Sequence, residues 1–349
     1  MRILKPILTL TLCLLLCMPI MAATKAKPKT IAKPKVAPRI VKGTTQLAGE
    51  NDARYGQTFT LGKDNPINIT IKSVEYTCDP VYVDDYSFVP NKNEKTMLIK
   101  FNLHNPNKAN RYINWATIRF TAVDSKDANH EDSQYLGNTK DSLGVRQDLK
   151  PAQKVDVYTF IKVPADAVIP KLMVVSDDDS SAKVIRYFFG KDKNQIAGLK
   201  PPYVDTSDPT GSKALDTIPA VLGAYYNNSQ LAIKIDSISD SDKTTIADYE
   251  VEEGNKFVFV KGSLKNILKT SYYFRWDSLK IALLDADGIA MDNVKELLAA
   301  SSEKTIAMDF KPGQEMNVRY LIEIPTDSTI SAVQFEDPEE GRVFIIPIK

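Results

Sequence analysis

The sequence contains few of the side chains that most often carry catalysis or bind metal ions. It has 2 histidines and 3 cysteines among 349 residues, and these form neither a His-x-x-x-His nor a Cys-x-x-Cys pair. Gly-x-Ser-x-Gly turns and glycine-rich phosphate loops are also absent. The sequence gives no support to the enzyme classes that these motifs mark, and we predict that the protein is not an enzyme.

Cysteine is scarcest in the part of the chain that is expected to fold. Cys13 and Cys17 lie in an apolar run, residues 6–21, which follows a short basic start and precedes two small residues. This order is typical of a secretory signal peptide, here residues 1–23. An uncleaved N-terminal anchor is the alternative, although the run is shorter than the roughly 20 residues of a spanning helix. We expect a secreted or periplasmic/cell-envelope protein with no transmembrane domain in the mature chain.

A single cysteine, Cys78, is left once the signal peptide is removed. It cannot form a disulfide within its own domain, so the folded domains must depend on apolar burial. We interpret Cys78 as a small, half-buried residue at the end of a strand rather than as a reactive thiol. His104 also follows a predicted strand, and we interpret it as an exposed polar residue rather than as a ligand.

Charge is distributed unevenly along the chain, although the formal net charge is only +1. Residues 24–43 carry seven basic and no acidic side chains, whereas residues 205–349 carry 15 basic and 24 acidic ones. The repeated Lys-Pro units predict a disordered basic linker over residues 24–50. Such a tail can contact an anionic surface. It lacks the aromatic residues that stack on bases, so we expect no specific binding of nucleic acid.

The chain contains an internal repeat with a constant spacing of 161 residues. Five landmarks occur in both copies, as the pairs Asn105 and Asn266, Trp115 and Trp276, Asp124 and Asp285, Pro151 and Pro312, and Pro164 and Pro325. This regularity predicts two copies of one domain. We place the first domain at residues 51–200, a linker at residues 201–222 and the second domain at residues 223–349.

Both copies show the period-two pattern of half-buried strands, as in residues 67–71 and 231–235. About seven short, turn-separated strands are predicted in each copy. Only residues 141–148 and 293–301 have a pattern that would suit a short helix. The predicted fold class is all-β, with two tandem immunoglobulin-like antiparallel β-sandwiches.

The turns between these strands carry a resemblance to a known family. Leu-Lys-Pro-Ala-Gln at 149–153 precedes Phe-Ile-Lys-Val-Pro at 160–164, and the second copy has Phe-Lys-Pro-Gly-Gln at 310–314 and Ile-Glu-Ile-Pro at 322–325. These motifs resemble bacterial extracellular immunoglobulin-like domains of unknown function related to mycobacterial immunoprotective extracellular protein, which are sometimes labelled telomeric repeat-binding factor 2-like. The sequence departs from that family where glutamine replaces the usual glutamate in both turns, and where Leu321 and Ile322 replace its aromatic residue. The resemblance covers most of both copies and implies a secreted or lipid-anchored module. It carries no catalytic residues.

Clustered carboxylates are the remaining candidates for a cofactor site. Asp285, Asp287 and Asp292 are weak calcium candidates, because they supply only a fragment of the oxygen ligands that a calcium loop needs. We favour an ordinary solvated β-turn over a calcium site for Asp285 and Asp287. Other carboxylate clusters begin at Asp177 and Asp236. No other cofactor is expected.

Aromatic residues divide into core and surface candidates. We predict that Trp115 and Trp276 are core anchors, one in each copy. The residues predicted to form a contact surface are Tyr82, Tyr86, Phe88, Tyr225 and Tyr226, together with Tyr272 and Tyr273. The loops expected to present contacts are residues 81–91 and 238–250.

These patterns favour a non-catalytic secreted or cell-envelope binding or adhesion module of unknown ligand. Its partner would be an envelope protein or polymer, and the two copies would add avidity if both engage it. A structural spacer without a ligand is one alternative. The accessory domains of an enzyme that acts on an envelope polymer are the other.

Overall fold

The computed structural model describes residues 52–62, 64–176, 184–336 and 341–348. The predicted signal peptide, the predicted basic linker and Asp177 lie outside these ranges. The described residues form β-strands joined by turns, with one 3-10 helix at Trp276–Ser278. None of the helical structure found there is long or apolar enough to cross a membrane.

The first half of the described chain contains fourteen strands. They are β1 Thr58–Leu61, β2 Ile67–Thr77, β3 Val81–Val83, β4 Tyr86–Phe88, β5 Glu94–His104, β6 Arg111–Ile113, β7 Ile118–Val123, β8 Asn129–Glu131, β9 Gly137–Asn138, β10 Gln147–Leu149, β11 Lys154–Pro164, β12 Lys171–Ser176, β13 Ile185–Phe188 and β14 Ile196–Ala197. One sheet has the order β1-β2-β5-β11-β9, with β14 parallel to β2, and the opposing sheet has the order β13-β12-β7-β8.

The second half contains a further fourteen strands. They are β15 Thr217–Pro219, β16 Tyr225–Asn227, β17 Leu231–Ser241, β18 Thr245–Ile246, β19 Tyr249–Glu250, β20 Asn255–Asn266, β21 Tyr272–Phe274, β22 Lys280–Leu284, β23 Ala290–Met291, β24 Val294–Ala299, β25 Met308–Phe310, β26 Glu315–Pro325, β27 Ala332–Glu336 and β28 Val343–Pro347. The sheets have the orders β16-β17-β20-β26-β24 and β15-β28-β27-β22-β23. In both halves the chain crosses to the opposing sheet after the long central strand, which is β5 or β20, and again after the long strand paired with it, β11 or β26. This is the strand order of an immunoglobulin-type sandwich.

The core of each half lies between its two sheets. Phe101 on β5 contacts Phe120 on β7 across the first sandwich, with ring centroids 4.9 Å apart. In the second sandwich Tyr226 on β16 lies 5.6 Å from Phe344 on β28. Because successive side chains of a strand point to opposite faces, the alternating sequence buries one face of each sheet against the other. The predicted all-β class with antiparallel β-sandwiches is confirmed.

The predicted short helices are wrong. Residues 293–301 contain strand β24, which pairs with β26 and buries Leu297 and Leu298. Residues 141–148 form turns and the start of β10. Lys-Glu-Leu-Leu favours a helix locally, but the hydrogen bonds to β26 and the burial of both leucines outweigh that preference.

The repeated asparagine closes the same turn in both halves. Asn105 is fully buried, and its Nδ2 donates to the carbonyl oxygens of Ala109 and Leu149 at 2.8 Å each. Its Oδ1 accepts from the backbone N–H of Asn107 at 2.9 Å. This side chain therefore joins the end of β5 to β10, and both of its polar ends are satisfied inside the fold.

Asn266 makes the corresponding hydrogen bonds in the second half. Its Nδ2 donates to the carbonyl oxygens of Thr270 at 3.0 Å and Phe310 at 2.7 Å, and its Oδ1 accepts from Leu268 N–H at 2.8 Å. An amide is required here, because only asparagine supplies two donors and an acceptor at this reach. This explains why asparagine is one of the landmarks that the sequence repeats.

A short hairpin covers the outer face of the β2-β5-β11 sheet in the first half. Strands β3 and β4 form this hairpin, and they enclose a small second core with Val81, Val83, Tyr158 and Phe160. The hairpin β18–β19 encloses a comparable cluster in the second half, centred on Ile246. The loops that were predicted to present contacts are therefore packed onto the sheets.

The segment at residues 201–222, which the sequence predicts to be a linker, is packed against the sandwiches. Strand β15 lies within it and pairs with β28. Tyr203 and Ile218 are buried. The segment is thus held by both strand pairing and apolar contacts.

Two buried cations hold the junction between the halves. Lys95 Nζ donates to the carbonyl oxygens of Ala165 at 3.1 Å and Ala167 at 2.7 Å, and to that of Ser212. It also lies 4.4 Å from the centroid of the Tyr76 ring. Since a buried charge is costly unless its hydrogen bonds are made, these contacts tie the first half to the connecting segment.

Arg342, which directly precedes β28, extends from the second half to the first. Its Nη2 donates to the carbonyl oxygens of Asn91 at 2.9 Å and Glu94 at 2.7 Å. Its guanidinium carbon lies 5.9 Å from the centroid of the Tyr203 ring. Arg342 therefore contacts both the first half and the connecting segment.

We expect Asn105→Ala to lower the free energy of unfolding by about 2 kcal/mol, because two buried carbonyls and one N–H lose their partner. Urea denaturation followed by tryptophan fluorescence measures the change. Asn129→Ala, at an exposed position on β8, is the matched control and should change it by less than about 0.5 kcal/mol. Equal effects of the two substitutions would contradict the structural role of Asn105.

Lys95 should give the stability a pH dependence of known sign. Burial lowers the pKa of Lys95 from 10.5 to about 8. Between these values the unfolded chain holds a proton that the folded chain lacks, so this lysine makes the folded state more stable as the pH rises. Urea denaturation should show the free energy of unfolding of the wild type rising relative to that of Lys95→Met from about pH 8 to about pH 10. A difference that stays constant over this window would contradict the lowered pKa.

Candidate functional site

A cleft of about 430 Å³ lies on the outer face of the first sheet. The hairpin β3–β4 forms one side of it. Residues on neighbouring strands form its floor, among them Glu75 on β2, Leu98 and Lys100 on β5, and Tyr158 on β11. A volume of this size is within the roughly 300–1,000 Å³ of small-molecule sites.

The floor of the cleft carries an ion pair. Lys100 Nζ lies 2.6 Å from Glu75 Oε1, and both side chains remain partly exposed. Opposite charges on adjacent strands hold each other in place, while their outer atoms stay available to a ligand. The cleft thus offers one donor-rich and one acceptor-rich group side by side.

Tyrosine and threonine side chains supply part of the remaining wall of the cleft, beside one further acidic and one further basic side chain. Tyr158 donates its hydroxyl to the backbone carbonyl of Tyr82, which fastens the hairpin to the sheet. Burial raises the pKa of Tyr82 to about 12, so its hydroxyl stays protonated. Thr77 and Thr139 also line the cavity. The walls therefore combine flat aromatic surfaces with neutral hydroxyl groups.

Cys78 lies at the inner end of the cleft, where β2 ends. It is buried more completely than the half-buried position that the sequence predicts. Burial raises the pKa of its thiol, against the opposing effect of the nearby Arg342 guanidinium. A thiol that stays protonated is a poor nucleophile. Cys78 therefore acts as part of the wall.

The predicted contact residues of the first half are brought together by the hairpin. Phe88 lies between Tyr135 at 4.5 Å and Phe160 at 5.0 Å, measured between ring centroids. Tyr86 lies at the outer end of this aromatic cluster and is 60% exposed. Tyr82 lines the cleft beside them. Among the predicted contact residues of this half, Tyr86 is thus the most open to solvent.

The predicted contact residues of the second half point in opposite directions. Tyr225 is exposed, and its hydroxyl donates to Glu315 Oε1 at 2.6 Å. Tyr226, the next residue on β16, points inward against Phe335 and Phe344. Tyr226 therefore belongs to the core rather than to a contact surface. The structure does not bring this pair close to the hairpin aromatics of the first half.

The prediction that both tryptophans are core anchors is wrong. Trp115 is 41% exposed and Trp276 is 46% exposed. Ile113 and Phe274, two residues earlier on the preceding strands, are fully buried and fill the core instead. The tryptophans lie just after these strands, in a turn and in the 3-10 helix, where the alternation of buried positions has ended.

The weak calcium candidates are found in turns. Asp285 Oδ1 accepts from the backbone N–H groups of Asp287 at 2.9 Å and Ile289 at 2.8 Å, which closes the turn between β22 and β23. Asp287 and Asp292 are exposed. Within the described ranges, no three His, Cys, Asp or Glu side chains come together as a metal ion would require.

Both histidines make local contacts. His104 Nδ1 lies 2.9 Å from Asn68 Nδ2 on the adjacent strand β2, and burial lowers the pKa of this half-buried imidazole. His130 Nε2 lies 3.1 Å from Asp124 Oδ2. Asp124 closes the turn between β7 and β8, and hydrogen bonding from the Ala128 N–H is the main cause of its lowered pKa, with His130 second.

Sequence reasoning did not identify the cleft, because its residues come from separate parts of the chain. Strands β2, β5 and β11, the turn after β9 and the segment around Tyr203 each contribute to it. Glu75 and Lys100 are ordinary charged residues of half-buried strands in the sequence. Only the pairing of β2 with β5 places them next to each other.

No protein-family model matches this chain, and no curated protein does. Solved structures that are similar to part of it include two uncharacterized proteins. An uncharacterized β-sandwich protein from Clostridium difficile 630 is 14% identical, with a TM-score of 0.31 over 40% of this chain and 94% of that chain. A conserved hypothetical protein from Bacillus anthracis is 17% identical, with a TM-score of 0.25 over 33% of this chain and 87% of that one. Likenesses this weak indicate nothing about function.

The alkylation rate of the Cys78 thiol reports how well the inner end of the cleft is enclosed. We expect iodoacetamide to alkylate Cys78 in the native protein at least about tenfold more slowly than in urea, because the native thiol is enclosed and its pKa is raised. Mass spectrometry of the peptide that contains Cys78 follows the reaction separately from Cys13 and Cys17. Equal rates in the native and denatured protein would contradict the buried position.

Proposed function

We propose that this chain is a non-catalytic, extracytoplasmic binding module whose first half binds a small ligand, or one unit of a larger ligand, in the cleft beside the β3–β4 hairpin. The observation that carries the proposal is the cleft itself. It combines a volume of about 430 Å³ with aromatic walls, neutral hydroxyl groups and the Lys100–Glu75 pair. Binding sites of small molecules typically join flat apolar surface with a few polar groups in this way.

The contacts of the histidines support the non-catalytic part of the proposal. His104 and His130 are engaged with Asn68 and Asp124, and neither lines the cleft. Cys78 does line it, but its raised pKa disfavours the thiolate that nucleophilic catalysis needs. The cleft is thus better suited to holding a ligand than to reacting with it.

The sequence pattern supports the extracytoplasmic part. Residues 1–23 have the composition of a signal peptide, and the basic residues 24–43 are suited to contact an anionic envelope surface. We further propose that the two halves are tandem copies of one domain, of the extracellular immunoglobulin-like kind that the turn motifs resemble. The constant spacing of the landmarks and the equal strand order of the halves support this.

A structural spacer is the second candidate function, and the junction favours it. Lys95 and Arg342 are buried and make hydrogen bonds across the connecting segment and between the halves. A spacer needs such a stiff connection, whereas a binding module does not. The two functions differ in whether the cleft has a ligand.

Leu98→Trp provides the test, since it places a larger side chain on the floor of the cleft. We expect a defined set of monosaccharides, amino sugars, amino acids and short peptides to contain a compound that raises the Tm of the wild type and slows alkylation of Cys78. The same compound should do neither in Leu98→Trp. Tyr225→Ala, on the second half, is the matched control and should keep both effects.

Two outcomes would contradict binding in the cleft. In the first, every stabilising compound acts equally on the wild type and on Leu98→Trp. In the second, no compound of the set changes either the Tm or the alkylation rate of the wild type. The second outcome would favour the spacer.

A further inference from the structure

Exposed aromatic residues recur at equivalent places in the two halves. Tyr112 on β6 is 55% exposed and Tyr273 on β21 is 59% exposed. Each is followed three residues later by the half-exposed Trp115 or Trp276. The spacing between the two pairs is the same 161 residues that separates the structural landmarks.

Core packing does not account for this recurrence. Ile113 and Phe274, between the members of each pair, are fully buried and supply the core contacts of β6 and β21. Arg119 lies 5.8 Å from the centroid of the Trp115 ring, so one ring is braced by a cation at the surface. A single exposed aromatic residue needs no explanation, but two aromatic residues exposed at the same places in both halves are consistent with a contact surface.

A carboxylate accompanies each tyrosine. The pairing of β6 with β10 places Asp148 directly opposite Tyr112. The pairing of β21 with β25 places Asp309 directly opposite Tyr273. Directly opposed side chains of an antiparallel pair lie on the same face of the strands. Asp148 and Asp309 are exposed as well, so each half presents an aromatic ring with a hydrogen-bond acceptor beside it.

We propose that these two surfaces, Tyr112–Trp115–Asp148 and Tyr273–Trp276–Asp309, are platforms for a polysaccharide of neutral or N-acetylated pyranoses. The flat apolar face of a pyranose ring packs on an aromatic ring, and its hydroxyl groups donate hydrogen bonds to a carboxylate. Two platforms of the same composition would each recognise the same chemical unit. A polymer of repeating units presents that unit at both platforms.

Charge selects against anionic polymers. Each platform carries an aspartate, and residues 205–349, which include the second platform, have 24 acidic and 15 basic side chains. The cation beside the first platform, Arg119, is already paired with Glu131 and Asp132. The platform carboxylates, which form no ion pair within the described residues, therefore disfavour uronic acid polymers and nucleic acids. The platforms are also separate from the cleft, because none of their six residues lines it. This inference therefore does not depend on the proposed ligand of the cleft.

Affinity electrophoresis of the full chain in native gels tests the platforms. The probes are hydroxyethyl cellulose and glycol chitin, which are neutral or N-acetylated, and polygalacturonate, which is anionic. We expect at least one of the first two to retard the wild type, and polygalacturonate not to do so. Trp115→Ala and Trp276→Ala should each weaken the retardation, and the double substitution should abolish it, because two linked sites bind more tightly than one.

Val168→Ala shortens an exposed apolar side chain outside both the platforms and the cleft and should leave the retardation unchanged. Near-wild-type Tm values of the tryptophan variants would show that they fold. The proposal is wrong if neither neutral gel retards the wild type, if the double variant is retarded equally, or if only polygalacturonate binds. It is also wrong if the wild type sediments as a dimer and the double variant as a monomer, since the platforms would then be an interface between copies.

Discussion

The burial of two cations at the junction constrains the rest of this structure. Lys95 and Arg342 both donate hydrogen bonds to backbone carbonyl oxygens, which offset part of the high cost of burying a charge inside a protein. Those oxygens come from the β4–β5 loop, the turn after β11 and the connecting segment. The junction also borders the cleft, since the Arg342 guanidinium lies over the ring of Tyr203, one of the cleft residues. The junction and the cleft therefore have Tyr203 in common.

Much of the fold could be predicted because its signals are local. The alternation of residues 67–71 and the turn motifs at 149–153 arise within a few residues, and they indicate strands and turns correctly. Asn105 and Asn266 are also local signals. Each closes the same kind of turn with its buried amide, so the residue recurs wherever that turn occurs. The error at residues 293–301 has the opposite cause, because pairing with a distant strand decided the conformation.

The candidate site could not be predicted to the same extent. The cleft combines strands that are far apart in sequence, and its charged residues have no distinguishing pattern. The prediction that Trp115 and Trp276 are core anchors is wrong because repetition alone does not indicate a core position. A repeated residue can serve packing or contact, and its exposure distinguishes the two. We propose contact for the exposed tryptophans.

We propose that recognition lies on the folded halves, in the cleft and on the two platforms, rather than on the basic residues 24–43. Hydrogen–deuterium exchange of the full chain, with and without a glycan fraction of bacterial envelope, tests this claim most directly. The account predicts slower exchange in the bound state at residues 75–82, which border the cleft, or at residues 112–115 of the first platform. Slower exchange confined to residues 24–43, with no change in either folded half, would contradict it.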